Sequence, residues 1–460
     1  MFIDTSFLNQ GNFHSNNTIS HYLHSINNAL EKGLDSISPD KVVVNNIFVK
    51  NDNLIINKNT ISIRNKNLYI IGAGKATYNI AKSLIPLLGI RYKTGIINIP
   101  KVQGNEQITL PNTFIHLTGH PIPDEDTFNA SLEQIKLLES LTEDDIVFVI
   151  ITGGASALFE VPETDLNKND VIETYKQLLV SGLPIQKINI IRKHLSQVKG
   201  GKLINKTKAQ IIGLLISDIP GDDIGSIGSG PTVPVYSSVQ KCLTILKESG
   251  LYQTLPKNVV NYLSIKEQSF KTYPSQENIQ KLSPLNFLLS SNSTILKTIQ
   301  EYFLSFDLST DICTTAFSGD SQEIANFLSR YILFPYVGIP KCLIFGGEST
   351  VQIGENINLT DSQGGRNQEL VLSFMLNYLN NRFFSNVILV SIGTDGIDGH
   401  SSNAGAIFIS EIHKNKITEI EHLQQQLKVH NSAQCLPLEC YIKTGPTGSN
   451  VGDVIILLIY

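Results

Sequence analysis

Two cationic side chains stand beside glycines in settings suited to an anion. Lys75 closes the run Gly72-Ala73-Gly74-Lys75, and Arg366 follows Gly364-Gly365 where a helical stretch begins. Glycine lets the backbone approach a phosphate closely, and a helix N-terminus offers unpaired N–H groups with partial positive charge. Lysine adds a compact point charge; arginine adds a fork that grips two oxygens at once. Further glycine turns occur at Gly153-Gly154-Ala155-Ser156, at Gly346-Gly347-Glu348 and at Gly393-Thr394-Asp395-Gly396. One such turn is commonplace. Their pooling in a single chain points to a polyanionic ligand such as a nucleotide.

Carboxylates and a basic stretch supply the complementary chemistry. Ser217-Asp218-Ile219-Pro220-Gly221-Asp222-Asp223 places three acids close together, which suits a hard cation such as Mg²⁺. A polar loop supplies the same residues trivially. In the stretch from Asn189 to Lys202, helical spacing predicts one face carrying Asn189, Arg192, Ser196 and Lys199, able to clamp a carboxylate or phosphate. A charged stripe of this kind is more often only a solvated surface. His194 reads equally well as structural or catalytic. Ser156 lacks the Gly-x-Ser-x-Gly elbow of a nucleophilic serine, and its bland reading is a helix cap. The first glycine turn is an incomplete dinucleotide fingerprint: Thr77 stands where a third glycine belongs, and no acid closes the strand at Ile96–Ile99.

The elements that must hold these residues follow from periodicity. Short β-branched runs end at each turn: 68–71 before Gly72, 146–151 before Gly153, 211–216 before Asp218, 343–345 before Gly346 and 387–390 before Gly393. Fully apolar runs predict strands covered on both faces. Helical spacing follows at Ala76, Ile80, Leu84 and Leu87, at 131–141 and at 368–379. A helix near 20–33, a short polar hairpin after it and a buried strand at 454–460 complete the reading. Alternation of strand and helix predicts an α/β fold of two lobes, each a largely parallel sheet flanked by helices, the first Rossmann-like. A Ser-, Gln- and Lys-rich seam with Pro274 and Pro284 sets the expected lobes at 1–285 and 286–460.

Composition removes other classes. Lys and Arg total 36 against 41 Asp and Glu, a net charge of −5, which gives no field for nucleic acid. No apolar run approaches the roughly 20 residues a membrane span needs. The N-terminus lacks a basic, then apolar, secretory pattern. The five cysteines are scattered without a Cys-x-x-Cys pair, so reduced thiols in a cytoplasmic protein are expected.

Taken in order, the motifs resemble the class II glycerate kinases (glycerate 2-kinases). The matching segments are IGAGKA at 71–76, TGHPIPDE at 118–125, TGGASALFEVP at 152–162, INIIRKHLSQVKGGKL at 188–203 and LISDIPGDDIGSIGSGPTVP at 215–234. FGGESTV at 345–351, GGRNQEL at 364–370, GTDGIDGHSSNAGA at 393–406 and TGPTGSNVGDV at 444–454 extend the match. Two segments depart from the usual pattern, at Thr152-Gly153-Gly154-Ala155 and at Ile397-Asp398-Gly399-His400. The resemblance implies ATP-dependent phosphorylation of the 2-hydroxyl of D-glycerate in a cleft between lobes, with Lys75 and Arg366 implicated in catalysis. The nucleotide would then meet Gly72, Gly74, Gly153, Gly154, Gly346, Gly347, Gly364, Gly365 and Asp395. Asp218 or Asp222 would hold Mg²⁺ or orient the substrate hydroxyl; Ser156 and Arg192 are the candidates for the glycerate carboxylate. A homodimer is left open. The competing readings are an NAD(P)H-dependent hydroxypyruvate reductase and a non-catalytic module binding a nucleotide or sugar phosphate.

Overall fold

The computed structural model describes residues 2–3, 16–101, 108–234, 237–268, 283–333, 338, 340–352, 363–381, 385–417 and 419–460. Pro274 of the expected seam lies outside them. The chain forms two compact units. One comprises Pro39–Ser217 and Asp222–Leu289; the other comprises Met1–Ser38, Asp218–Gly221 and Ser290–Tyr460.

The first unit begins with the helix Pro39–Asn46, followed by an antiparallel meander of β1 (Ile47–Lys50), β2 (Asn53–Ile56) and β3 (Asn59–Ser62). Its main sheet is built from β4 (Asn67–Ala73), β5 (Tyr92–Pro100), β6 (Thr113–Thr118), β7 (Asp145–Ile151), β8 (Gln210–Ile216) and β9 (Leu285–Ser290). The order is β6-β5-β4-β7-β8-β9, and every pair from β6 through β8 is parallel. All seven residues of β7 are buried, as a strand covered on both faces requires. Strand order runs outward from β4 in one direction and from β7 in the other. The gap between β4 and β7 is therefore a topological switch point, where ligands of open α/β sheets bind beyond the carboxyl ends.

Helices cover this sheet. Thr77–Leu88 buries Ile80, Ala81, Leu84 and Leu88 as one stripe. Glu125–Ser140 starts where Asp124 Oδ1 accepts the Thr127 N–H at 2.9 Å. A satellite core around Tyr175, Leu178, Leu243 and Leu263 joins the helices Lys168–Val180, Ile185–Leu195, Val239–Glu248 and Lys257–Gln268. The helix expected to reach Lys199 stops at Leu195. Ser196 turns extended and bridges Pro162, and the Gln197 N–H bonds to the Val161 carbonyl at 2.8 Å. Asn189 and Arg192 share a helix; Ser196 and Lys199 lie beyond it.

The second unit carries β10 (Ser309–Asp320), β11 (Lys341–Thr350), β12 (Val387–Gly393), β13 (Gly405–Ile409), β14 (Tyr441–Ile442) and β15 (Asp453–Ile459), in the order β10-β11-β15-β12-β13-β14. β10 pairs parallel with β11, but β15 runs antiparallel to both its neighbours, and β13 to both of its own. Four strands thus share one direction and two oppose it. This sheet is mixed where a largely parallel one was expected, because an all-buried run such as Asp453–Ile459 carries no mark of direction. The helix Arg366–Asn380 packs on it through Leu370, Phe374 and Met375. The N-terminal helix Asn16–Ser36 belongs to this unit, and Gly33 lies so close to Ile295 and Ile299 that a methyl group would come within 3.0 Å of both. All five cysteines are free; Cys242, Cys342 and Cys440 are buried, and Cys313 is exposed.

Candidate active-site residues

At the switch point of the first unit, two turns are stitched together. The Thr152 N–H bonds to the Ala73 carbonyl at 3.2 Å, the Lys75 N–H to the Gly153 carbonyl at 2.9 Å, and the Ala76 N–H to Thr152 Oγ1 at 3.1 Å. Gly74 has φ +136°, and any Cβ there would press into the Thr152 backbone, so glycine is obligatory. This cross-stitching fixes the backbone of Lys75 while its side chain stays exposed. Gly154 is left-handed at φ +86° and leads into the single turn Ala155–Leu158.

From that turn Ser156 Oγ lies 2.9 Å from Ser229 Oγ, which donates to Asn189 Oδ1 at 3.0 Å. One helical turn beyond Asn189 stands Arg192. It is 6 % exposed, its guanidinium lies 4.8 Å from the centre of the Tyr175 ring, and among the described residues its Nε has no hydrogen-bond partner. A buried guanidinium with no acidic hydrogen-bond partner among the described residues keeps donors free for an anion. Lys199 is different. Its ammonium is fully buried, 2.6 Å from Glu160 and 2.8 Å from the Phe159 carbonyl, and Tyr175 donates its hydroxyl to the same Glu160. It holds the fold together. His194 Nε2 lies 3.1 Å from Ser237 Oγ, and burial pushes its pKa down to about 4, so it is a neutral structural residue.

In the second unit, Arg366 is fixed by its neighbours. Its Nε and Nη2 each donate to one oxygen of Asp453 at 2.7 Å, and Nη2 lies 3.2 Å from Glu348 Oε1. Asp453 is wholly buried and also accepts from the Ser349 N–H and Asn367 Nδ2, both at 3.1 Å. Burial opposes the charge on Arg366, but Asp453 first and Glu348 next outweigh it and hold the guanidinium protonated. Glu348, half-buried at the end of β11, has its pKa raised to about 7. Burial is the main cause; Arg366 opposes it, and Asp453, Asp218 and Asp395 reinforce it.

The helix N-terminus behind Arg366 is already occupied. Asp398 takes the N–H of Asn367 at 3.1 Å and that of Gln368 at 2.8 Å, and Gly365 leaves the room that lets it in. The arginine side chain is therefore what this segment offers an anion. Gly346 likewise makes room for Asn292, whose Nδ2 holds the carbonyls of Val451 at 3.0 Å and Asp453 at 2.9 Å. Gly347 and Gly364 have positive φ, and Asp395 Oδ1 accepts the Ile397 N–H at 3.2 Å. Asp218 groups with this unit and its charge reaches Glu348, whereas Asp222 belongs to the first unit. Among the described residues no three His, Cys, Asp or Glu side chains group tightly enough to hold a metal ion. Mg²⁺ carried on nucleotide phosphates needs only one or two carboxylates. Asp453 and Glu348 escaped the sequence reading as partners of Arg366, and Asp398 as the cap of its helix. The only hint was an acid opening the last apolar run.

Two family models match successive parts of the chain. Residues 25–264 match a family described as a domain of unknown function (DUF4147), and residues 341–453 match the MOFRL family. A glycerate 2-kinase of Pyrococcus horikoshii is 31 % identical over 93 % of this chain and 95 % of its own length. A D-glycerate 2-kinase of Thermotoga maritima is 30 % identical over 94 % and 96 %. A crystal structure of glycerate kinase from Thermotoga maritima superimposes with a TM-score of 0.77 at 27 % identity, covering 96 % of this chain and all of that one, 100 %.

Proposed function

Because this chain belongs to the glycerate 2-kinase family, we propose that it transfers the γ-phosphoryl group of ATP to the 2-hydroxyl of D-glycerate, releasing ADP and 2-phosphoglycerate. Phosphoryl transfer asks little covalent chemistry of a protein. It asks for in-line placement and for neutralisation of charge spreading over the migrating group. Lys75 and Arg366 are assigned that neutralising role. The observation that supports the assignment most is the grip of Asp453 on Arg366, which aims a permanent charge without consuming all of its donors. Preorganised charge of this kind needs no reorientation as the transition state forms.

Arg192 is assigned the glycerate carboxylate, with Ser156 beside it through the Ser229–Asn189 relay. Gly72, Gly74, Gly153, Gly154, Gly346, Gly347, Gly364, Gly365 and Asp395 are assigned to the turns that border the nucleotide; the space beside Gly74, Gly346 and Gly365 is taken by Thr152, Asn292 and Asp398, so these glycines shape the turns rather than receive the phosphates themselves. Mg²⁺ is read as part of the incoming MgATP, where it screens phosphate charge. Asp218 meets the metal or orients the glycerate hydroxyl, and Asp222 is the second carboxylate offered to the metal. Among the described residues no helix is long and apolar enough to cross a membrane. We place the enzyme in the cytoplasm on the strength of its five free cysteines.

Incubation with ATP and D-glycerate, followed by ³¹P and ¹H NMR of the product, tests the reading. The expected product is 2-phosphoglycerate. Formation of 3-phosphoglycerate would move the transfer to the other hydroxyl. NADH consumption with hydroxypyruvate and no ADP release would replace the kinase by the reductase.

A further inference from the structure

We propose that His120 contacts the ligand in the same site, donating a ring N–H to a phosphate oxygen held beside Lys75. The inference deepens the kinase reading and rests on it. His120 stands just past β6, and its backbone is pinned from behind: the Gly119 N–H bonds to Asp124 Oδ1 and to Thr127 Oγ1, both at 3.1 Å. Those acceptors belong to the cap of the helix Glu125–Ser140, so a rigid element aims the loop.

The ring lies directly on the second glycine turn. A Cβ placed on Gly154 would come within 3.0 Å of both Cδ2 and Nε2 of His120. Gly154 therefore answers two demands, its left-handed backbone and the ring that covers it. The neighbouring Gly153 carbonyl holds the Lys75 N–H, which brings the lysine loop, the glycine turn and the imidazole to one place at the switch point. The ring feels the Lys75 ammonium. His120 is an exposed residue whose ring packs on the glycine turn; loss of water on that side first and the Lys75 charge second push its pKa down to about 4, and the imidazole is neutral at physiological pH. Among the described residues nothing hydrogen-bonds to the ring.

A neutral imidazole beside an ammonium has a clear chemical use. It offers one N–H donor to an anion without the repulsion that a second cation would meet next to Lys75. An arriving phosphate screens Lys75 and favours the protonated ring, so phosphate binding and proton uptake at His120 are coupled.

The test uses the full chain, with His120→Ala, which removes the donor, and His120→Asn, which keeps one. Loss of a phosphate-contacting donor predicts at least about a tenfold fall in kcat/KM for ATP in the alanine variant. The asparagine variant should recover most of it, and KM for glycerate should move less. Independently, the His120 imidazole signal in ¹H–¹⁵N spectra should shift toward the protonated form on addition of inorganic phosphate to the wild-type chain. The alanine variant should lack that signal. Wild-type kinetics in His120→Ala, or an imidazole signal indifferent to phosphate, overturns the proposal. If His120→Ala fails to fold, the asparagine variant and the phosphate titration decide alone. A wild-type chain without kinase turnover would defeat the kinase reading, while the phosphate titration would still decide whether His120 meets an anion.

Discussion

Arg366 and Asp453 form a two-pronged ion pair in which each carboxylate oxygen takes one guanidinium N–H at 2.7 Å, with the acid wholly buried. The pair joins the first residue of a helix to the first residue of the sheet's third strand. It sets the direction of the guanidinium before any substrate arrives.

Replacing Asp453 separates aim from charge. Asp453→Asn leaves Arg366 in place but removes the carboxylate that orients it, and turnover should fall on the order of 10-fold or more. Asp453→Ala should also destabilise the second unit by roughly 1–3 kcal/mol, since it leaves a partly buried cation with Glu348 as its remaining acid and strips the Ser349 and Asn367 donors of their acceptor. Steady-state kinetics on the first variant and urea unfolding on the second check both. Unchanged kcat in Asp453→Asn would mean that Arg366 needs no anchor.

Removing the charges themselves should cost more. Lys75→Ala and Arg366→Ala should each lower kcat on the order of 10²-fold or more, with smaller changes in KM. A binding module without catalysis would tolerate both in a nucleotide-binding titration and show no turnover to lose.

Glu348 makes stability depend on pH in a predictable direction. Its folded pKa, about 7, lies above the ordinary value of 4.5, so the folded state favours the protonated acid. The associated stability is fully present below pH 4.5 and is lost as pH rises through 7. Glu348→Gln should therefore gain in Tm relative to the parent across that interval and level off above it. A Tm difference constant from pH 4 to about 8 would show that Glu348 titrates normally.

The pair Lys199–Glu160 predicts a context-dependent loss. Lys199→Met leaves Glu160 buried with Tyr175 as its remaining side-chain donor, and should cost roughly 3–5 kcal/mol in denaturant unfolding. Adding Glu160→Leu to that variant should restore part of the loss. If the double variant were less stable than the single one, the ion pair would not be the source of the cost.

What could be read from the chain followed the range of each interaction. The strand before Gly72 and the helix after Lys75 declare themselves through local periodicity, and the boundaries observed are Asn67–Ala73 and Thr77–Leu88. Lys75 and Arg366 stood out because glycines adjoin them. Asp453 did not, since it meets Arg366 across 87 positions of sequence. Asp398 capping a helix that begins at Arg366 was hidden for the same reason. Lys199 was misread as part of a helical face because nothing near it announces that Ser196 pairs with Pro162. The direction of β15 was equally silent: a run of buried aliphatics fits either way between two neighbours.

That strand also imposes an order of assembly. Asp453–Ile459 fills the gap between β11 and β12, so a polypeptide emerging from the ribosome holds two unfinished half-sheets until this stretch is released. Arg366 is synthesised early and waits for its carboxylate. Any product truncated ahead of residue 453 would lack both the middle of the sheet and the anchor of the guanidinium, and loss of shape and loss of aim would arrive together.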